Sequence, residues 1–247
     1  MKHIFKYNQN IVIISYGKTS NKKIATPSET IVQTYTFSEE QYRLANLGRK
    51  ITMKEFFAAD DTNCLDCPFS GNQFAAGTYA KNAKGKRITC YTHKVMQYSG
   101  FLSMLRSFDL SKVTYYTPAM AEDIIKLSAG KYVRFGTYGE PSLIPFELIR
   151  GMAAVAKSYT GYTHQWHKPW AKDFGAYFMA SAHDQLEADN ARQLNFRSFI
   201  AKGLNEPAAG IQCPASKESD YVSNCSKCSL CSGMKGKGTK DVIINLH

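Results

Sequence analysis

The residues with the most chemical capacity are seven cysteines, which fall into two groups. The first, Cys64, Cys67 and Cys90, spans the stretch CLDCPFSGNQFAAGTYAKNAKGKRITCY. A CxxC pair lets two thiolates reach one metal from a single turn, and Cys90 joins them if the intervening loop closes. Three thiolates leave one corner of a metal or cluster open to water, substrate or cofactor, whereas a closed structural site takes four protein ligands. Two other expectations compete: Cys64 and Cys67 sharing a structural zinc site with two other ligands, or Cys90 being merely buried.

The second group, Cys213, Cys225, Cys228 and Cys231, lies in CPAS followed by NCSKCSLC and has the four ligands of a closed site. CxxCxxC with a Pro-flanked cysteine upstream resembles ferredoxin-type cluster binding, and zinc on four thiolates is its main rival. Either centre is structural or electron-transferring, because no coordination position remains open.

Other groups with chemical capacity lie between the two. From Pro68 to Lys94 the chain has no acidic residue, while Lys81, Lys84, Lys86 and Arg87 are cationic and could contact a phosphate or nucleic acid. Gly71, Gly77 and Gly85, with Phe74 and Tyr79, give that loop freedom and aromatic faces; a solvated surface loop is the plainer alternative. His164 and His167, in YTHQWHKPW, are either ligands or bases, or histidines packed against aromatics. His183 with Asp184 suits proton transfer, and Asp184 equally suits a helix cap.

The elements that position these residues alternate. Strands are expected at 11–16, 131–136, 161–166, 176–182, 195–201 and 241–246, and helices at 38–47, 94–108, 119–128, 146–159 and 185–194. In the 94–108 helix, Val95, Tyr98, Leu102, Leu105 and Phe108 recur at intervals of three and four, which predicts one buried face. Such alternation argues for a mainly parallel sheet, open or rolled toward a barrel, with functional groups at the strands' carboxyl ends. Those ends carry Tyr138 and Glu140, then His164, Gln165 and His167, then Ser181, His183 and Asp184.

With 247 residues and 44% hydrophobic composition the chain can bury a substantial core. Its net charge of +11 favours an anionic partner such as nucleic acid or a nucleotide, although solubility alone also accounts for it. The apolar run at residues 11–15 is too short for a membrane span or a signal-peptide core, so a cytoplasmic protein is expected. Three regions follow: an N-terminal strand and helix extension at 1–60, an α/β barrel-like core at 61–205, and a cysteine-rich segment with a final strand at 206–247.

The cysteine triad with an aromatic after its last member (Cys90, Tyr91), the strand ending in GTYGEP, and the later cysteine group together resemble the radical S-adenosylmethionine superfamily. That resemblance implies a [4Fe-4S] cluster on Cys64, Cys67 and Cys90, with a free iron binding S-adenosylmethionine. It also implies a cofactor-binding region at Tyr138, Gly139, Glu140, Pro141 and Ser181, in which Glu140 holds the amino group. Cys90 lies beyond a long insertion, and Tyr138 stands where the superfamily's GGEP motif has its first glycine. The layout from Cys64 to His247 also resembles a phage-encoded family known as gene product 88, which implies a phage origin.

The expectation is thus an α/β fold, an incomplete (β/α) barrel of radical-SAM-like type with a C-terminal four-cysteine metal-binding segment. It carries one [4Fe-4S] cluster, and a second [4Fe-4S] cluster or zinc at the later cysteines. The expected activity is radical chemistry with S-adenosylmethionine on a nucleotide or nucleic acid, with His183 and Asp184 catalytic and an electron-donor protein as partner. The alternatives are a metal-stapled nucleic-acid-binding protein without catalysis, and a metal-dependent hydrolase or transferase using His164, His167, His183 and Asp184.

Overall fold

The computed structural model describes residues 2–77, 90–203, 206–236 and 238–245. Its first two strands, β1 (Lys2–Tyr7) and β2 (Asn10–Lys18), form an antiparallel hairpin in which Asn8 takes a φ of 53°. A two-residue hairpin turn needs positive φ, and Asn tolerates it. β2 pairs antiparallel with β3 (Thr30–Ser38); β3 pairs parallel with β4 (Tyr132–Tyr138), and β4 parallel with β5 (Ser158–Thr160).

Both faces of this sheet are covered, which is why β2 reads as a continuous apolar run. Val12 and Ile14 face one core with Phe135, Leu148, Ile149 and Met152, whereas Ile11 and Ile13 face another with Phe37, Phe56, Phe57, Phe101 and Leu105. The second core is built by α1 (Glu39–Ala45), α2 (Met53–Ala58) and, later in the chain, α5 (Val95–Arg106). Between α2 and α5 lie the short helices α3 (Asp61–Cys64) and α4 (Gly71–Ala75). The first core takes α6 (Ala121–Ser128) and α7 (Phe146–Val155). Capping boxes start α1 at Ser38 with Gln41 and α2 at Thr52 with Glu55, each satisfying backbone donors that a helix start leaves orphaned.

A second, parallel sheet has the order β6–β7–β8–β10–β9. Its strands are β6 (Tyr162–Thr163), β7 (Met179–Ala182), β8 (Ser198–Lys202), β9 (Ile211–Gln212) and β10 (Val242–Asn245). Helix α8 (Gln185–Gln193) connects β7 to β8, and α9 (Cys225–Cys228) precedes β10. A single residue, Gly161, separates β5 from β6. Its N–H donates to Cys231 O and its carbonyl accepts from Met179 N, both at 3.0 Å. A Cβ there would collide with the Phe178 ring, so glycine is required where one segment leaves the first sheet and enters the second.

The fold is therefore mixed α/β with one mixed and one parallel sheet, and no closed barrel forms among the described residues. Several sequence expectations need correction. β1 and β3 were not expected; β3 (TIVQTYTFS) reads as polar, yet Thr34 and Thr36 are buried because their hydroxyls bond Gly136 N and Tyr138 O across the sheet. The expected 146–159 helix stops at Val155, and β5 begins three residues later at Ser158. In α5 it is Phe101 and Leu105 that are fully packed, while Val95 faces solvent. No helix among the described residues is long and apolar enough to cross a membrane.

Candidate metal centre and the polar ends of the strands

The turn bearing Cys64 is tied down on two sides. Asn10 and Thr62 exchange two hydrogen bonds of 3.0 Å, Asn63 Nδ2 donates to Thr36 O at 2.9 Å, and Glu140 N donates to Asn63 O at 2.7 Å. The carboxyl end of β3 and the turn after β4 thus hold the same short helix. Gly139 allows this approach with a φ of +74°; a Cβ there would strike Thr36 and the Asn63 carbonyl. Leu65, with a φ of 52°, ends α3 and turns the chain into the CxxC loop, where Cys67 N donates to Cys64 O at 3.2 Å. Cys90 returns to this loop through its N–H, which donates to Phe69 O at 3.1 Å, and its Sγ lies 3.0 Å from Thr92 Oγ1.

The thiols share one electrostatic neighbourhood. Burial pushes Cys64 and Cys67 well above the ordinary thiol range and Cys90 upward; after burial, Cys64 is raised by Asp60 and by the other two thiols, and Cys67 by Cys90 and Glu140. Asp60 is itself pushed up to about 6 by burial, although its carboxylate accepts from Gly71 N at 2.8 Å and Asn72 N at 2.9 Å. All seven cysteines are free thiols, and among the described residues no three His, Cys, Asp or Glu side chains are grouped so as to hold a metal ion. The donor set still suits a thiophilic centre: three thiols from two segments, Cys67 buried and Cys64 and Cys90 half-buried, with Asn63 Oδ1 buried beside Cys64 and lacking a hydrogen-bond partner. Metal uptake there must release the thiol protons and draw the sulfurs inward.

Glu140 is almost fully buried, which raises its carboxyl above the usual range. Ser142 N and Oγ donate to its Oε1 at 3.1 and 2.7 Å, His164 N donates to Oε2 at 3.1 Å, and the Thr163 hydroxyl also bonds the carboxylate. These donors latch the turn after β4 onto the end of β6.

At the neighbouring strand ends, His164 and His183 lie nearly parallel with ring centroids 5.8 Å apart, and Phe69 of the CxxCPF loop meets both edge-on at 5.8 and 4.8 Å. Burial first, and then His183, depress His164 to about 3, so this ring is neutral at ordinary pH. The Nε2 atoms of both histidines are buried without a partner. His183 Nδ1 lies 2.8 Å from Glu187 Oε2, which also accepts from His183 N at 2.9 Å. That carboxylate favours the proton on Nδ1 and leaves Nε2 as an acceptor. Asp184 instead caps α8, accepting from Glu187 N at 2.7 Å.

The second cysteine group is surrounded mainly by backbone bonds and packed side chains. Cys213 N donates to Ile243 O at 2.8 Å, Cys225 N to Lys23 O at 2.9 Å and Cys228 N to Asn224 O at 2.9 Å. Cys231 and Cys213 pack with Met179, Val242 and Tyr162. Burial pushes Cys213 up to about 11 and raises Cys231 and Cys225; Cys213 and Cys231 are each raised further by the other thiols of the group, and Cys225 by Cys228. Arg134 on β4 links the two groups. Its Nη2 donates to Tyr91 OH at 2.7 Å, and its charge favours thiolate at both Cys90 and Cys225.

The remaining expected site residues are dispersed. Tyr138 points into the aromatic core with Phe37, Phe57 and Phe101, its hydroxyl accepting from Gln41 Nε2 at 2.6 Å. Pro141 starts a short 3-10 turn, Ser181 is buried within β7, and His167 Nε2 lies 3.5 Å from Asp66. Lys81, Lys84, Lys86, Arg87, Tyr79, Gly85 and His247 lie outside the described residues. The sequence reading missed Asp60, Asn63, Arg134 and Glu187. Only Glu187 carried a signal, four residues after His183 at the start of a helix. Comparison with known proteins gives no match to any family model, curated protein or solved structure.

Proposed function

We propose that the chain is an iron–sulfur protein of the radical S-adenosylmethionine type, acting on a nucleotide or nucleic acid. The observation that carries this reading is the 2.7 Å hydrogen bond from Glu140 N to Asn63 O, which attaches the Gly-Glu-Pro turn directly to the residue before Cys64. In the superfamily the chain resembles, the cysteine loop and this turn serve one cofactor. The parallel strands support the same reading: β3–β4–β5 continue through Gly161 into β6–β7–β8–β10, with the cysteine loop after the first and the acidic turn after the second. On this reading the two sheets together correspond to an incomplete (β/α) barrel.

On this reading Cys64, Cys67 and Cys90 hold a [4Fe-4S] cluster, which when bound supplies single electrons to the sulfonium of S-adenosylmethionine. Glu140 keeps the turn in place and acts on a bound ammonium through its charge, because internal donors already occupy its oxygens. His183 Nε2 accepts or returns a proton at the strand ends, with Glu187 holding the ring's tautomer. Phe69 shields both imidazoles. An electron-donor protein and the cytoplasm of a phage host belong to the same reading, and the second group holds another cluster or zinc. The test is titration of the anaerobically reconstituted protein with S-adenosylmethionine by calorimetry. Saturable binding in wild type and none in the Cys64→Ala, Cys67→Ala, Cys90→Ala variant is expected; no binding in wild type removes the cofactor.

A second reading is favoured by the engaged oxygens of Glu140: a protein stapled by metal at both groups that holds nucleic acid without catalysis. Zinc at both groups, with no affinity for S-adenosylmethionine, would select it.

A further inference from the structure

Lys22, Lys23 and the segment around Cys225 line an open cavity of about 480 Å³, whose walls include Tyr221, Ser223, Asn224 and Lys227. This volume lies within the roughly 300–1,000 Å³ typical of ligand pockets. The two walls come from opposite ends of the chain and are knitted by backbone bonds, Cys225 N to Lys23 O at 2.9 Å and Ser226 N to Ile24 O at 2.8 Å. The cysteine module therefore sets the position of the lysine pair. Lys23 Nζ lies 4.8 Å from the centroid of the Tyr221 ring, which holds that charge at the cavity. Asn224 Oδ1 accepts from Lys227 N at 3.1 Å and fixes the backbone of the third lysine.

The nearby carboxylate of Glu29 is engaged by Ser226 Oγ at 2.8 Å, and the ion pairs among the described residues all involve other cations. Three lysines thus line one open cavity, and among the described residues none of them stands in an ion pair. At its rim Tyr221 is 48% and Val222 77% exposed, an apolar surface beside the charge. Clustered cations tracking phosphates, with an aromatic beside them for unpaired bases, is the pattern of single-strand binding. The chain's +11 charge supplies long-range attraction to such a polyanion.

We propose that this pocket docks the phosphate backbone of a single-stranded nucleic acid, with the four-cysteine module as its scaffold. The inference names a contact surface for the nucleic acid and does not depend on what the first cysteine group binds. The test is fluorescence anisotropy of a labelled 20-nucleotide oligothymidylate with the full chain, across a salt series and without cofactor. The variant Lys22→Glu, Lys23→Glu, Lys227→Glu is compared with Lys54→Glu, Lys157→Glu, Lys172→Glu, which changes net charge equally. The pocket variant is expected to bind at least about tenfold more weakly, with a log–log salt slope smaller by about 2, at about 0.7 per phosphate contact. Tyr221→Ala, with every lysine retained, should lose about fivefold or more. Equal loss in the two triple variants would show diffuse charge attraction and overturn the proposal, as would wild-type affinity in the pocket variant or no binding by wild type. Loss of S-adenosylmethionine binding, the failure of the previous reading, leaves this readout unchanged.

Discussion

The two cysteine groups are made of the same side chain in different surroundings. Cys64, Cys67 and Cys90 stand among groups able to gain or lose protons or to lack partners: Asp60, Asn63, Glu140, and beyond Phe69 the His164–His183 pair. Cys213, Cys225, Cys228 and Cys231 stand among backbone hydrogen bonds and packed residues, joined to β10 through Ile243 and to Gly161 between the sheets. One set of thiols lies near the polar ends of parallel strands, and the other lies in a segment held to the core by backbone hydrogen bonds and apolar packing. On the proposed reading, chemistry belongs to the first surroundings and stability to the second.

The largest effect should separate them directly. On the proposed reading, replacing Cys225 and Cys228 by Ala removes two metal ligands, and structural metal sites contribute folding free energy outright. The unfolding midpoint should fall by about 10 °C or more, at roughly 2–4 °C per kcal/mol for a chain of this size. The Cys64→Ala, Cys67→Ala, Cys90→Ala variant should fall by less than half as much. Equal losses in differential scanning calorimetry would erase the distinction.

Next is the Glu140 latch. Glu140→Gln turns an NH2 group toward backbone and hydroxyl donors in a buried site, which costs about 1–3 kcal/mol. Urea denaturation should show that loss, while Glu122→Gln, an exposed surface change on α6, should stay within about 0.5 kcal/mol.

The pH dependence gives a third discrimination. Burial depresses His164 to about 3, so the unfolded chain binds a proton there between pH 6.5 and 3 that the folded chain does not. Stability from this site is present above pH 6.5 and is lost as pH falls toward 3, by about 2 kcal/mol at pH 5. His164→Gln should flatten that part of the profile measured by denaturant titration. An unchanged slope would show that the strand-end site is open to water.

The smallest stability effect is expected at Glu187. Glu187→Gln should change stability by only about 0.5–1.5 kcal/mol, the net value of one hydrogen bond. Nitrogen NMR of the His183 ring should nonetheless show loss of the Nδ1–H preference; a retained tautomer would remove Glu187 as its positioning group.

Much of this architecture was readable from residue types. The apolar run at β2, the helix expected at 119–128 and the strand expected directly after it all follow local rules. What escaped was decided by long-range contacts. β3 hid because Thr34 and Thr36 are polar, and only partners about a hundred residues away satisfy their hydroxyls. Tyr138, read as part of a cofactor turn, faces the core because residues alternate faces along β4. Asn63 and Arg134 had no motif around them, and each matters through a partner distant in sequence. The site's roles at Ser181, His183 and Asp184 were legible as candidates, but the Asp184 cap and the Glu187 contact needed the helix geometry of α8.

The most direct test of the central claim is iron, sulfide and zinc content per chain after anaerobic purification, for wild type and for the Cys64→Ala, Cys67→Ala, Cys90→Ala variant. The account predicts that the variant loses about four iron and four sulfide, the content of one cubane cluster. Zinc alone in wild type, lost in the variant, would contradict it and leave a metal-stapled binding protein.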